Sequence, residues 1–201
     1  MNDVAPILGV LGGVAGIADT IPYVRNTVRG TTRPHRGSWL IWSMLAGIAC
    51  LSQRADGASW SVLMTATQAI LTGVVFLLAT RYGEGGVGTT DLLLIAFASV
   101  GVVGWIISRD PLAALACVIA ADLIAVGMMA AKVHRDPDSE TLSTYALASV
   151  GGALATGAVA EPDLSMLLYP AYYCLVNAAT ALLIHRRRIS LGAVRGPADG
   201  D

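Results

Sequence analysis

The sequence predicts an all-α polytopic membrane protein with seven transmembrane helices in a 3+1+3 order, two parallel triple-helix repeats joined by one linker helix. Three observations predict it. Of 201 residues, 55% are hydrophobic and 13% charged, and the mean hydropathy is +0.64, outside the balance of a soluble domain. The apolar residues gather into seven stretches near the length that crosses a bilayer. Two of these stretches, with the loops that follow them, match each other at a fixed offset.

In chain order the spans run Ala5–Val24, Ser38–Ser52, Ser59–Thr80, Asp91–Ile107, Pro111–Ala131, Thr141–Ala160 and Leu164–His185. The first has an acidic start, Asn2-Asp3, and continues into Pro22-Tyr23 without a small-residue cleavage pattern, so it reads as a retained helix rather than a signal peptide. The second is the shortest, and Trp39 and Trp42 near its start suit interfacial anchors. Pro111 behind Asp110 is a good helix starter. One membrane domain, 1–201, accounts for the chain: repeat 1 over about 5–80, linker helix 91–107, repeat 2 over 111–185, and a polar cytoplasmic tail, 186–201.

Orientation follows from the basic residues. With seven spans, one side receives Arg25, Arg29, Arg33, Arg36, Arg81, Lys132, Arg135, Arg186, Arg187, Arg188 and Arg195, which is 11 of the 13 Lys and Arg. Arg54 and Arg109 fall on the other. The positive-inside rule then puts the amino terminus outside and the carboxyl terminus in the cytoplasm of a multi-pass protein. An Ala, Gly, Val and Arg bias with a single Lys suggests a GC-rich bacterial genome, hence the bacterial inner membrane. Cys50, Cys117 and Cys174 all lie within predicted spans, an odd number without metal-ligand spacing, and read as packing residues; no metal or cofactor is expected.

Laying Gly16 onward over Ile119 onward, at an offset of 103, brings Ala18, Asp19, Ile21 and Pro34 onto Ala121, Asp122, Ile124 and Pro137 without a gap. Arg29 meets Lys132, Ser38 meets Thr141 and Trp42 meets Tyr145. Further on, Trp60 and Gln68 correspond to Tyr169 and Asn177. Two triplets joined by one crossing helix keep the same orientation, an arrangement that puts a site at the repeat interface near the midplane.

The 3+1+3 layout, the outside amino terminus and the Pro of the first helix resemble the SWEET and PQ-loop superfamily, whose relatives include nicotinamide riboside transporters. The strings IPYVRNTVRGTTRPHRGSWLIW and DPDSETLSTYAL are similar to those of an uncharacterised family of bacterial seven-helix membrane proteins, over most of the chain. The resemblance implies the fold and a transport role. The superfamily's Pro-Gln pair is replaced by Pro22-Tyr23, and the second copy has Ala125-Val126.

Asp19 and Asp122 are the carboxylates interior to the apolar stretches, and a charge there costs roughly 2.5–3.5 kcal/mol on insertion scales. They are read as a shared site for a proton, a cation or a solute's polar groups, against the blander reading of protonated acids bonding a neighbouring helix. Gln68 and Asn177 add amides that either contact solute or glue helices together. Trp60, Tyr169, Tyr172 and Tyr173 either wall a pocket or anchor span ends. Pro22 and Pro170 interrupt helical hydrogen bonding and are read as hinges or static kinks. Gly9, Gly12, Gly13 and Gly16 give overlapping GxxxG spacings for close packing, within the bundle or between protomers of a homo-oligomer.

Catalysis finds no motif: HExxH, GxSxG and a Walker-type loop are absent from the sequence, so the chain is not read as an enzyme. Lys132, the only lysine, lies at the end of the fifth helix, leaving none in the seventh for a retinal Schiff base. The expectation is a small-solute transporter or facilitator, proton or cation coupled, partnered by solute and lipid and by no nucleic acid. The alternative is a non-transporting accessory or scaffold protein that binds another membrane component through its glycine face.

Overall fold

The computed structural model describes residues 4–55, 61–86, 88–107, 111–158 and 164–195, and their regular structure is helical. The helices are α1 (Val4–Ala18), α2 (Thr20–Val28), α3 (Arg36–Ala55), α4 (Ser61–Tyr82), α5 (Thr89–Ile107), α6 (Pro111–Arg135), α7 (Leu142–Gly157) and α8 (Leu164–Arg195), with a 3-10 turn at Pro137–Ser139. Since α1 and α2 are one rod interrupted at Asp19, the described residues form seven rods.

Pro22 accounts for that interruption. It offers no N–H to the Ala18 carbonyl, and its ring crowds the preceding turn. Asp19 nevertheless keeps helical dihedrals, φ −65° and ψ −33°, so the break is a lost hydrogen bond and the backbone stays helical. The Asp19 carbonyl accepts from Thr144 Oγ1 of α7 at 2.8 Å.

Hydropathy placed the rods but shortened some of them. α3 extends beyond the predicted Ser38–Ser52 at both ends, α6 runs on to Arg135, and residues 186–195 of the predicted tail continue α8. Hydropathy marks only the apolar part of a helix, whereas Arg, Leu and Ala sustain one in polar surroundings too. The extension is also tied down: Arg187 donates to the His134 carbonyl at 2.7 Å and Arg188 to the Glu140 carbonyl at 2.6 Å.

Among the described residues three helical segments are long and apolar enough to cross a membrane, Ile7–Val28, Ala116–Arg135 and Leu167–Leu191, and Gln68–Tyr82 is a shorter apolar helix. Large apolar side chains point outward along several rods, with Val10, Phe97, Val100 and Leu175 each about two-thirds exposed. An outer surface of this kind suits a surrounding of lipid rather than water.

The rods pack in matched pairs. α3 lies along α4 and α7 along α8, α2 contacts α4 and α6 contacts α8, and α1 lies on α7 while α3 lies on α6; α5 leans on α6 and α3. Glycines bring two of these pairs close. A Cβ on Gly12 would stand 3.3 Å from the Gly151 carbonyl oxygen, and one on Gly152 would stand 2.7 Å from the Cys174 nitrogen. The glycine spacing of α1 thus serves packing within the bundle, against α7.

Four basic segments converge at one end. Arg33 pairs with Asp136 and, at 3.4 Å, with Glu84, and its backbone N–H donates to the Ser139 carbonyl at 2.8 Å. The α2–α3 and α4–α5 loops join through Arg36 N–H to the Glu84 carbonyl and Glu84 N–H to the Pro34 carbonyl, at 3.0 and 2.9 Å. Arg188 reaches Asp138 at 3.2 Å. The loops after α2, α4 and α6 and the last turns of α8 therefore share one end of the bundle.

Candidate functional site

Both predicted carboxylates are inside the bundle, and Asp122 bonds α8 directly. Asp19, at the break between α1 and α2, is buried and accepts from Thr20 Oγ1 at 2.9 Å. Asp122, in the middle of α6, is half-buried and accepts from the Tyr172 hydroxyl at 2.5 Å. The neighbouring Tyr173 hydroxyl lies within electrostatic reach of both Asp19 and Asp122, and Tyr169 within reach of Asp122. The three phenols stack as a cluster, with Tyr169 6.4 Å from Tyr172 and 6.2 Å from Tyr173 between ring centroids. Tyr172 thus bonds one of the two acids directly. This group of carboxylates, hydroxyls and π-faces offers acceptors, donors and aromatic walls to a small polar or cationic solute.

The other predicted site residues are placed as follows. Asn177 donates to the Tyr173 carbonyl at 2.9 Å, one turn back on its own helix. Gln68 is exposed on α4, and its carbonyl accepts from Thr72 Oγ1 at 2.9 Å. Tyr169 is 41% exposed. Pro170 lies inside α8, which continues through it. Trp60 lies outside the described residues. Pro22 is at the start of α2, one turn from Asp19.

A second polar cluster lies at the basic end, where the sequence offered only loop charges. Lys132, the chain's single lysine, and Glu140 are 2% and 0% exposed at their side chains and pair at 2.6 Å. Lys132 Nζ also donates to the Arg33 carbonyl and, at 3.4 Å, to the Ser139 carbonyl, which satisfies all three of its donors. Glu140 Oε1 accepts from the Tyr23 hydroxyl at 3.2 Å and Oε2 from the Tyr145 hydroxyl at 3.0 Å, while Trp39 Nε1 donates to Tyr23 at 2.9 Å. Tyr23, Trp39 and Tyr145 pack against Met129, Val133 and Ile184. Alongside, Asn26 donates to Thr141 at 3.1 Å, and the Thr32 and Thr141 hydroxyls are 2.6 Å apart.

These contacts have a sequence correlate that is easy to pass over. Tyr23 follows Pro22, and Glu140 closes the α6–α7 corner three residues after Pro137. Burial of either depends on four separate segments meeting, which no single stretch displays.

Compared with family models, with curated proteins and with solved structures, the chain matches none.

Proposed function

We propose that the chain is a small-solute transporter or facilitator of the bacterial inner membrane, with seven spans, its amino terminus outside, and alternating access between two three-helix units around the Asp19–Asp122 site. The bond of Asp122 to Tyr172, with both carboxylates within electrostatic reach of the adjacent Tyr173, carries this reading. Acids at matching places in two copies, served by one aromatic ledge, are what a site on a repeat interface requires.

The packing lends the repeat independent support. At the offset of 103, α1–α2 corresponds to α6, α3 to α7, and α4 to α8, and the contact of α1 with α7 then has its mate in that of α6 with α3. Arg33 and Asp136 stand 103 residues apart and pair directly. Residues equivalent by a twofold relation touch only on the axis, so this pair marks where the axis emerges at the basic end.

The scaffold alternative relied on the glycine face of α1, and Gly12 already packs on Gly151. It keeps no second observation of its own.

Asp19→Asn with Asp122→Asn in one chain tests the proposal. Solutes are first screened for thermal stabilisation of the purified protein; a ligand at about a hundred times its Kd adds about 2.7 kcal/mol. Solutes that stabilise are then taken to uptake in proteoliposomes. The double variant is expected to fold and to lose both stabilisation and uptake. Full uptake by the folded double variant would remove the acids from the mechanism.

A further inference from the structure

Taking a lysine and a glutamate out of water opposes folding unless their hydrogen-bonding capacity is met inside. In Lys132 and Glu140 it is met by groups from both three-helix units: Tyr23 and the Arg33 carbonyl from one, Ser139 and Tyr145 from the other. The cluster thus sits on the seam between the units and seals the basic end over the Met129, Val133 and Ile184 packing. Apolar residues of similar volume would seal that seam as well or better. Hydrogen bonds to charged groups behave differently: those from Tyr23 to the Glu140 carboxylate and from the Lys132 ammonium to the Arg33 carbonyl are strong when dry and weaken once water competes for them, so the contact is strong when shut and weak when open.

We infer that Lys132 and Glu140, with Tyr23 and Tyr145, form a releasable latch that holds the basic end of the solute path closed. The pair itself belongs to the second unit; its bonds to the Tyr23 hydroxyl and the Arg33 carbonyl join the units in this closed state and part in the state that opens Asp19 and Asp122 to that side. This role rests on the transport reading above for its purpose, while its test needs no solute.

The test is accessibility of a reporter under the latch. Val133 is fully buried beside Tyr23 and Tyr145, so Val133→Cys, in a chain with Cys50, Cys117 and Cys174 replaced by Ala, is exposed to a membrane-impermeant maleimide in vesicles whose basic side faces outward. Slow labelling is expected in the parent. Glu140→Gln and Lys132→Met are each expected to speed labelling, on the order of a hundredfold, since each leaves a buried group without its charge partner. Tyr23→Phe, which removes one hydroxyl across the seam and no charge, is expected to give an intermediate rate. Should the charge variants fail to fold, Tyr23→Phe decides alone. Labelling that stays at the parent rate in folded variants, or that rises only with loss of the thermal transition, overturns the latch. Uptake unaffected by the double Asp variant, with labelling still accelerated, would overturn the site reading and leave the latch standing.

Discussion

Gly152 of α7 lies against the backbone of Cys174 of α8 so closely that a Cβ on it would stand 2.7 Å from the Cys174 nitrogen and 2.8 Å from its Cα. Backbone atoms cannot swing aside as a side chain does, so the two helices must separate to admit a methyl group. Gly152→Ala is expected to lower stability by about 1–3 kcal/mol, the range for overpacking a tight contact. Gly16 and Gly127 have nothing within 4 Å of a built Cβ. Their Ala variants are expected to be neutral or to gain up to about 1 kcal/mol from helix propensity. Thermal unfolding in detergent separates the two groups, and equal melting for all three variants would remove the contact from the account.

The buried pair and the exposed pair at the basic end are expected to differ sharply in their mutational cost. Glu140→Ala leaves Lys132 charged, 2% exposed and without a counter-ion, which costs about 3–5 kcal/mol in comparable sites. Asp136→Ala breaks a pair whose side chains are 47% and 40% exposed, and is expected to cost about 1 kcal/mol or less. Denaturant or thermal unfolding of the two variants side by side checks the ordering. A cost for Asp136→Ala equal to that for Glu140→Ala would mean that the buried cluster adds nothing special.

His35, in the loop that leads into α3, gives the protein a pH dependence of predictable sign. Burial holds its pKa below the ordinary 6.5; Asp91 opposes this, and Lys132, Arg135 and Arg36 reinforce it. The imidazole is packed against Gly85, and its Nδ1 accepts from the Ser38 backbone N–H at 3.2 Å. As pH falls through 6.5, the unfolded chain takes up a proton that the folded chain refuses, so stability falls until the lowered folded pKa is reached. Melting temperature is expected to drop as pH falls through and below 6.5, and His35→Asn is expected to flatten part of that slope. An unchanged slope in the variant would assign the pH response to other groups.

The rods were legible in the sequence because apolar runs of spanning length have few other uses, and the break at Asp19 was legible in Pro22. The helical end of α8 was not, since Arg186, Arg187 and Arg188 erase the hydropathy signal that marks the rest of the helix. Asp19 and Asp122 stood out as charges in apolar surroundings. Glu140 and Lys132 did not, for the opposite reason: each sits in a polar stretch, and only the meeting of α2, α6, the Pro137 turn and α7 takes water away from them. Asn177 was legible as an intramembrane amide, yet its bond to the Tyr173 carbonyl is local, of the kind any helical Asn can make. Side-chain type gave the candidates; only the crossing of helices decided which of them meet.

Pro22 offers the sharpest separation of stability from motion. Because Asp19 retains helical dihedrals, Pro22→Ala supplies the missing N–H to the Ala18 carbonyl with little rearrangement, and the proline ring's clash with that turn disappears as well. The gain is expected to be about 1–3 kcal/mol, between the value of one hydrogen bond and the full helix penalty of proline. Amide exchange across Thr20–Tyr23 should slow accordingly. If the broken rod is a hinge that lets Asp19 shift against Thr144, the stabilised variant transports more slowly while binding solute as well as the parent. Faster or unchanged uptake in a chain with a continuous first rod would make the break a static feature of the fold.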